Sequence, residues 1–244
     1  MNSFYDINYK DNLHMDLHLP KSKSFDLFVY FHGGGLTSGT RKDAQFFAKT
    51  LAKSNIATAS VEYSLYPDAR FPQFIEDCAF AIRWIKDNIC SWGKINRLFV
   101  GGSSAGAYIS MMLCFDKSYL SAVNITPSEI SAYIHDAGQP TSHFNVLNEQ
   151  GVDGRRVIID KTAPLYFVGV ENTYSPMLFI VSDDDMFGRY EQTMLTVKTL
   201  QHFGHDKSVY LKVMHGKHCE HTCKTDKNGE GVLGNIINEF IGKI

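Results

Sequence analysis

Five short runs of apolar residues, separated by stretches with helical periodicity, constrain the fold of this chain more than any other feature. The runs cover residues 25–31, 56–61, 98–101, 176–181 and 209–214, and residues 132–135 are a further candidate. Runs that are apolar at nearly every position are typical of parallel strands covered on both faces. Helical patterns lie between them, at residues 43–53, 72–88, 105–115, 190–203 and 231–241. This alternation predicts an α/β fold, with a mostly parallel sheet and helices on both faces.

The first residues of the chain follow a different pattern. Residues 4–9 and 13–19 alternate between apolar and polar side chains, so that Leu13, Met15 and Leu17 share one face. Such segments are typical of an antiparallel strand pair. With this pair the expected sheet has about eight strands. Because no repeat or linker divides the 244 residues, we expect one domain spanning residues 1–244.

The composition excludes several classes of function. A net charge of −2 does not favour a nucleic-acid partner. No apolar run approaches the roughly 18 residues of a membrane span, and the N-terminus lacks the pattern of a secretory signal. Five cysteines are an odd number in a chain of this length and do not suggest a disulfide framework. Together these features predict a cytoplasmic protein with no membrane partner.

The most informative local motif is Gly-x-Ser-x-Gly at residues 102–106. It follows the apolar run 98–101 directly and leads into the helical pattern 105–115. In that context a serine lies on a sharp strand-to-helix turn with its hydroxyl exposed. Ser104 is therefore the candidate nucleophile, and the flanking Gly102 and Gly106 permit a strained, closely packed turn.

A second motif, His-Gly-Gly-Gly at residues 32–35, follows the apolar run 25–31. Consecutive glycines allow backbone N–H groups to face a site without obstruction by side chains. We expect the N–H groups of Gly34 and Gly35, with that of Ala105, to form an oxyanion hole. His32 is expected to hold this loop rather than to take part in catalysis.

These motifs, with residues 62–72 and 76–84, resemble the α/β-hydrolase superfamily. Within it the chain resembles the hormone-sensitive-lipase-like carboxylesterases, specifically compact acetyl- or feruloyl-esterase-like members. The resemblance spans nearly the whole chain but has two departures. The family often has Asp where this chain has Ser103, and only 31 residues precede His32, which is too few for the N-terminal cap of many relatives. Residues 117–160 are the candidate for a small lid.

The resemblance implies that an acid and then a histidine follow the nucleophile along the chain. Three aspartates, at positions 183–185, follow the run 176–181. In related sequences the acid stands three residues beyond a Gly or Ser that closes the strand. Ser182 is that residue here, which favours Asp185 over Asp183 and Asp184.

The same resemblance implies that the base lies in the loop after residues 209–214. A Gly-x-His element carries the histidine in the family, and residues 216–218 match it. His218 is therefore favoured, with His221 and His215 as alternatives. The same loop contains Cys219 and Cys223, a composition that can also hold Zn²⁺. A metal on the base would block it, so we expect neither a metal nor an organic cofactor.

The resulting hypothesis is a serine hydrolase with a Ser104–His218–Asp185 triad that cleaves esters of short or aromatic acyl groups through an acyl-enzyme. The expected partner is a small ester, which includes acetyl or feruloyl esters of sugars or oligosaccharides. An amidase resembling kynurenine formamidase and a non-catalytic binding protein remain alternatives. The oligomeric state is not predicted. Residues considered for the substrate pocket are Tyr63, Tyr66, Tyr108, Tyr133, His135, His143, Phe187 and residues 136–143.

Overall fold

An eight-stranded sheet forms the centre of the computed structural model, which describes residues 1–244. The strands are β1 (Asn2–Lys10), β2 (Leu13–Leu19), β3 (Ser24–Phe31), β4 (Ile56–Val61), β5 (Lys94–Ser103), β6 (Ala132–Asp136), β7 (Met177–Asp184) and β8 (Val209–Lys217). Their order across the sheet is β1-β2-β4-β3-β5-β6-β7-β8. β2 pairs antiparallel with β1 and β4, and all other pairs are parallel. The predicted mostly parallel sheet of about eight strands is confirmed.

Helices cover both faces of this sheet. They are α1 (Ala48–Lys53), α2 (Gln73–Asn88), α3 (Ala105–Phe115), α4 (Ser118–Ala122), α5 (Phe144–Glu149), α6 (Arg189–His202) and α7 (Val232–Ile241). The continuous helix expected at residues 43–53 was wrong. A 3₁₀ helix at Arg41–Phe46 precedes α1, and Phe47, with φ −130°, interrupts the helical backbone between them. The Phe47 ring packs edge-on against Tyr30 of β3, a tertiary contact that periodicity does not reveal.

Two hydrophobic cores lie on opposite faces of the sheet. In β3, Leu27, Val29 and Phe31 belong to the larger core, whereas Phe28 and Tyr30 belong to the smaller one. This assignment follows from the two-residue period of a strand. The larger core is covered mainly by α2, α3 and α6, and the smaller by α1 and α7. Both faces of the central strands are therefore buried, which explains their continuous apolar sequence.

The predicted lid range, residues 117–160, is not one insertion. Strand β6 crosses it and pairs with β5 and β7 in the middle of the sheet. Only residues 137–160, which contain α5, follow the carboxyl end of β6. A lid built from this chain is therefore restricted to that later segment.

No helix of this fold combines the length and the apolar character that crossing a membrane requires.

Candidate active site

The strand-to-helix turn at Ser104 is the most strained feature of the site. Ser104 has φ 54° and ψ −113° and separates β5 from α3. A Cβ atom on Gly106 would lie 2.0 Å from the carbonyl oxygen of Phe31, and one on Gly102 would lie 2.5 Å from it. Both glycines are thus required because the turn packs directly against the end of β3. The serine hydroxyl is held clear of the sheet as a result.

The structure brings Ser104, His218 and Asp185 together in a hydrogen-bonded row. Ser104 Oγ lies 2.8 Å from His218 Nε2, and His218 Nδ1 lies 2.5 Å from Asp185 Oδ1. An ionised carboxylate only accepts hydrogen bonds, so Nδ1 carries the proton and Nε2 is free to accept one from the serine. The three residues are supplied by the carboxyl ends of β5, β7 and β8.

The carboxylate of Asp185 is enclosed by donors. Its side chain is fully buried, and it accepts hydrogen bonds from the backbone N–H groups of Ser182 and Met186. Burial alone would raise the pKa of Asp185, but His218 and these N–H groups outweigh it and lower the pKa. Asp185 therefore stays ionised at neutral pH and orients the imidazole.

The neighbouring aspartates lie elsewhere. Asp183 is exposed and pairs with the exposed His215, with 2.5 Å between Oδ2 and Nδ1. Asp184 is also exposed, at the end of β7. His221 pairs with Asp136, with 2.8 Å between Nε2 and Oδ1. His215 lies within β8, which extends to Lys217, and His218 and His221 follow the strand. The three histidines thus face three different carboxylates and do not converge on one point.

The glycine loop lies beside the serine. The backbone N–H groups of Gly33, Gly34 and Gly35 donate to no protein atom. Gly33 and Gly34 line a cavity of about 240 Å³ together with Ser104 and His218. Gly35 is not among the residues that line this cavity, and a Cβ atom on Gly35 would be 3.5 Å from the ring of Phe144.

The expected supporting role of His32 fits its surroundings. The ring is buried, stacks on Tyr63 with 4.4 Å between centroids, and its Nδ1 donates to the carbonyl of Gly33. Burial lowers the pKa of His32 to about 4, so it is neutral at physiological pH. Ala105, the third expected donor, is the first residue of α3, where helical N–H groups lack an intrahelical acceptor.

A buried polar network beneath the turn was not anticipated from the sequence. Ser103 Oγ donates to Asp136 Oδ2 over 2.7 Å, and the other oxygen of Asp136 accepts from His221. The main-chain carbonyl of Asp136 also accepts from the N–H of Ser104 over 2.7 Å. Asp136 therefore anchors the turn, through its side chain to Ser103 and through its main-chain carbonyl to Ser104. The only sequence signal was the serine at position 103, where relatives often have an aspartate.

Cys219 follows the histidine and is in contact with it. Its Sγ atom lies 3.7 Å from His218 Nε2, and its backbone adopts the left-handed conformation, with φ 52°. Burial and the charges of Asp136 and Asp185 raise the pKa of the thiol well above its usual value. The thiol is therefore neutral, and it contacts the Nε2 edge of the imidazole and lines the same cavity as Ser104.

A larger cavity, of about 620 Å³, begins where the acid-bearing strand ends. Met186 and Phe187, directly after Asp185, line one side of it, and Phe144 of α5 lines another. Phe144 also borders Gly35, and the neighbouring Asn145 donates to the carbonyl of Gly35 over 2.5 Å. This cavity thus adjoins both the glycine loop and the Asp185 loop.

Of the aromatic residues considered for a substrate pocket, only Phe187 lines this cavity, and it is fully exposed. Tyr63, Tyr108 and Tyr133 are buried in the larger core. The two histidines considered, His135 and His143, are buried, and burial lowers the pKa of each to about 3. Within residues 136–143, Gln139 lines the cavity.

Comparisons with known proteins agree with this architecture. A family model described as alpha/beta hydrolase fold matches residues 28–228. Hormone-sensitive lipase of Ictidomys tridecemlineatus is 33% identical over 136 residues, which are 52% of this chain and 17% of the relative. Probable carboxylesterase 6 of Arabidopsis thaliana is 33% identical over 151 residues, which are 57% of this chain and 41% of the relative. The chain thus spans less than half the length of these curated relatives.

Among solved structures, an esterase of the planctomycete Thermogutta terrifontis, Est2, superimposes with a TM-score of 0.77 at 15% identity. The superposition covers 99% of this chain and 92% of that one. At this identity the likeness shows the fold alone. It extends over nearly all of both chains, so it includes the sheet whose carboxyl edge carries the site.

Proposed function

Since the chain belongs to the α/β hydrolase fold family, with a hormone-sensitive-lipase-like sequence as predicted, we propose that it is a serine carboxylesterase. The single observation that carries this proposal is the row Ser104–His218–Asp185, with its two contacts of 2.8 and 2.5 Å. A nucleophile in contact with a base that is oriented by a buried acid is the arrangement that acyl transfer needs. The names of the curated relatives, a lipase and a carboxylesterase, favour esters as substrates.

In the proposed reaction, His218 Nε2 takes the proton of Ser104 as its oxygen attacks the ester carbonyl. Asp185 stabilises the imidazolium that forms. His218 then gives this proton to the leaving alcohol, and an acyl-enzyme remains on Ser104. Water, activated by the same imidazole, attacks the acyl group, and the acid is released with Ser104 regenerated. No step requires a group that the chain does not supply.

The oxyanion of each tetrahedral intermediate is assigned to the N–H groups of Gly34, Gly35 and Ala105. The absence of any protein acceptor for the two glycine N–H groups supports this assignment. A donor of this kind is typically worth about 3 kcal/mol in the transition state. The competing donor is the N–H of Gly33, which lies beside the serine. A Cβ atom added to Gly33 would be 3.3 Å from Ser104 Cβ.

For the substrate we propose a small ester with a short or aromatic acyl group, and a sugar-linked acetyl or feruloyl ester is the finer version of this proposal. The 620 Å³ cavity supports it because the cavity is large enough for more than an acetyl group. Its lining includes the exposed ring of Phe187 and the amides of Gln139, Asn148 and Gln192. Aromatic and amide groups together suit a ligand with one apolar face and several hydroxyls.

The test of the function is the removal of the serine hydroxyl. Ser104→Ala is expected to lower kcat for 4-nitrophenyl acetate more than about 10⁴-fold, since the triad acts as a unit, with an unchanged thermal unfolding curve. A fluorophosphonate probe is expected to label wild type on Ser104. The matched control is Ser103→Ala, which removes the adjacent hydroxyl and is expected to keep both labelling and most of the activity. Undiminished hydrolysis by Ser104→Ala would reject the mechanism.

A further inference from the structure

The larger cavity has an unusual charge balance. Its charged lining residues are Arg155, Arg156, Arg189 and Asp153. Arg155 is paired, because its guanidinium binds both carboxylate oxygens of Asp153. Two arginines, Arg156 and Arg189, remain without a carboxylate partner. This local excess of positive charge belongs to a chain whose net charge is −2.

Arg189 is the more informative of the two. Only 4% of its surface is exposed, yet its hydrogen bonds go to neutral acceptors, the carbonyl of Ala137 at 3.0 Å and the side-chain oxygen of Gln139 at 3.3 Å. Burial lowers the pKa of Arg189 to about 10, so the guanidinium remains charged at neutral pH. A buried cation is costly unless an anion compensates it. The charge of Asp185 acts on Arg189, but this carboxylate is already hydrogen-bonded to His218.

Arg156 lines the same cavity and lies in the segment that follows α5. Its side chain is exposed and makes no hydrogen bond or ion pair with the protein. Its backbone N–H donates a hydrogen bond to the carbonyl of Asp153. An exposed arginine and a buried one therefore line the same cavity. Arginine is suited to this position because its planar N–H groups match the two oxygens of a carboxylate.

We propose that this cavity selects ester substrates whose non-reacting part carries a carboxylate, which Arg156 and Arg189 bind while the ester carbonyl lies at Ser104. This inference rests on the proposed esterase function and specifies its substrate class. The carboxylate belongs either to the acyl part or to the alcohol part of the ester, and the chemistry that the cavity recognises is the same. The ring of Phe187 and the side chain of Phe144 contact the carbon skeleton between the two ends.

The test compares kcat/KM within two matched ester pairs. In the acyl pair, mono-4-nitrophenyl glutarate carries a terminal carboxylate that 4-nitrophenyl valerate lacks. In the alcohol pair, 4-acetoxybenzoate is compared with its methyl ester. We expect the charged member to be preferred about tenfold or more in one of the two pairs, the size of a charge-assisted hydrogen bond. The pair that shows the preference identifies which part of the substrate carries the carboxylate.

Variants at Arg156 then show where the preference arises. Arg156→Gln is expected to reduce the ratio several-fold and Arg156→Glu to abolish or invert it, with the kcat/KM of the same variant for the neutral ester as the reference. Arg156 is used because Arg189 also supports the backbone at Ala137, and its removal can unfold that segment. The matched control is Arg83→Gln, an exposed arginine of α2 that pairs with Asp87 and is expected to leave the ratio unchanged.

The outcomes separate this inference from the proposed function. Equal kcat/KM for both members of both pairs overturns the inference and leaves the esterase function intact. Failure to hydrolyse any of the four esters overturns the function, and calorimetric titration of Ser104→Ala with glutarate and with benzoate then decides the inference alone. The inference is supported if Ser104→Ala binds one of these anions and the added substitution Arg156→Glu weakens this binding about tenfold. It is overturned if Ser104→Ala binds neither anion.

Discussion

At the scale of single residues, the site depends on which of three adjacent aspartates faces the histidine. Asp185 is buried against His218, whereas Asp183 is occupied by His215 on the surface. In a regular strand Asp183 and Asp185 would share a face. They differ because β7 ends at Asp184 and Asp185 lies in the following turn, where its carboxylate accepts from the N–H groups of Ser182 and Met186. Only one carboxylate of the three can therefore orient the imidazole.

This arrangement predicts unequal effects of the same substitution at the three positions. Asp185→Asn is expected to lower kcat for 4-nitrophenyl acetate about 10³–10⁴-fold, because the imidazole loses the partner that sets its tautomer. Asp183→Asn and Asp184→Asn are the matched controls and are expected to stay within a factor of about three of wild type. Steady-state kinetics at neutral pH measures all three. A large loss at Asp184 with none at Asp185 would show that the acid is assigned wrongly.

At the scale of secondary-structure elements, the nucleophile turn depends on the pairing of β5 with β6. Ser103 and Asp136 are register partners at the ends of these parallel strands. The carboxylate that relatives often carry before the nucleophile is thus supplied here by the neighbouring strand. Both side chains are buried, at 3% and 1% exposure, so the site has room for one carboxylate but not for two.

Adding a second carboxylate at position 103, and then removing the one at position 136, tests this interpretation. Ser103→Asp places a second buried carboxylate beside Asp136 and is expected to cost about 3–5 kcal/mol, the usual effect of an unpaired buried charge. At about 2–4 °C per kcal/mol, the Tm falls by roughly 10 °C. Adding Asp136→Asn removes the repulsion and is expected to recover part of the loss.

The control for Ser103→Asp is Ser103→Ala, which removes the hydroxyl without adding charge. It is expected to lower the free energy of unfolding by about 1–2 kcal/mol. Thermal unfolding of all the variants measures the coupling between positions 103 and 136. Strictly additive effects of the two substitutions would show that the side chains do not share a site.

At the scale of the whole molecule, the site joins parts of the chain that are far apart in sequence. The glycine loop, Ser104, Asp185 and His218 come from the ends of β3, β5, β7 and β8. The last loop is anchored to the middle of the sheet through His221, whose Nε2 reaches Asp136 of β6. Burial alone would lower the pKa of His221, but the charge of Asp136 outweighs it and raises the pKa above 6.5.

This anchor makes stability depend on pH. Since the pKa of His221 is higher in the folded than in the unfolded chain, its contribution is complete below the unfolded value of 6.5 and is lost as the pH rises through the folded value. His221→Gln keeps a donor for Asp136 but no charge. Its Tm is expected to fall further below that of wild type at about pH 5.5 than at about pH 9.

The control for the pH effect is His215→Gln, an exposed histidine whose ion pair with Asp183 is open to solvent. It is expected to lower the Tm less than His221→Gln does at the acidic pH, since exposed pairs contribute little. A Tm difference between wild type and His221→Gln that does not change with pH would contradict the buried, charged pair.

Much of this organisation was predictable because it depends on local signals. Periodicity identified the strands of the sheet and most helices, since a strand buried on both faces must be apolar throughout. The Ser104 turn was predictable because a tight turn requires glycines at fixed spacing. Choosing Asp185 and His218 required the family resemblance as well, because three aspartates and three histidines satisfied the residue types equally.

The amino-acid sequence by itself determined the α/β alternation, the antiparallel N-terminal pair and the position of the turn at Ser104, because each depends on residues close together in the chain. Only the tertiary structure decided that Asp136 of β6 holds Ser103 and His221, and that Arg156 and Arg189 line one cavity. These contacts join residues 33 to 85 positions apart. They depend on strand register and burial, which pattern and composition do not encode.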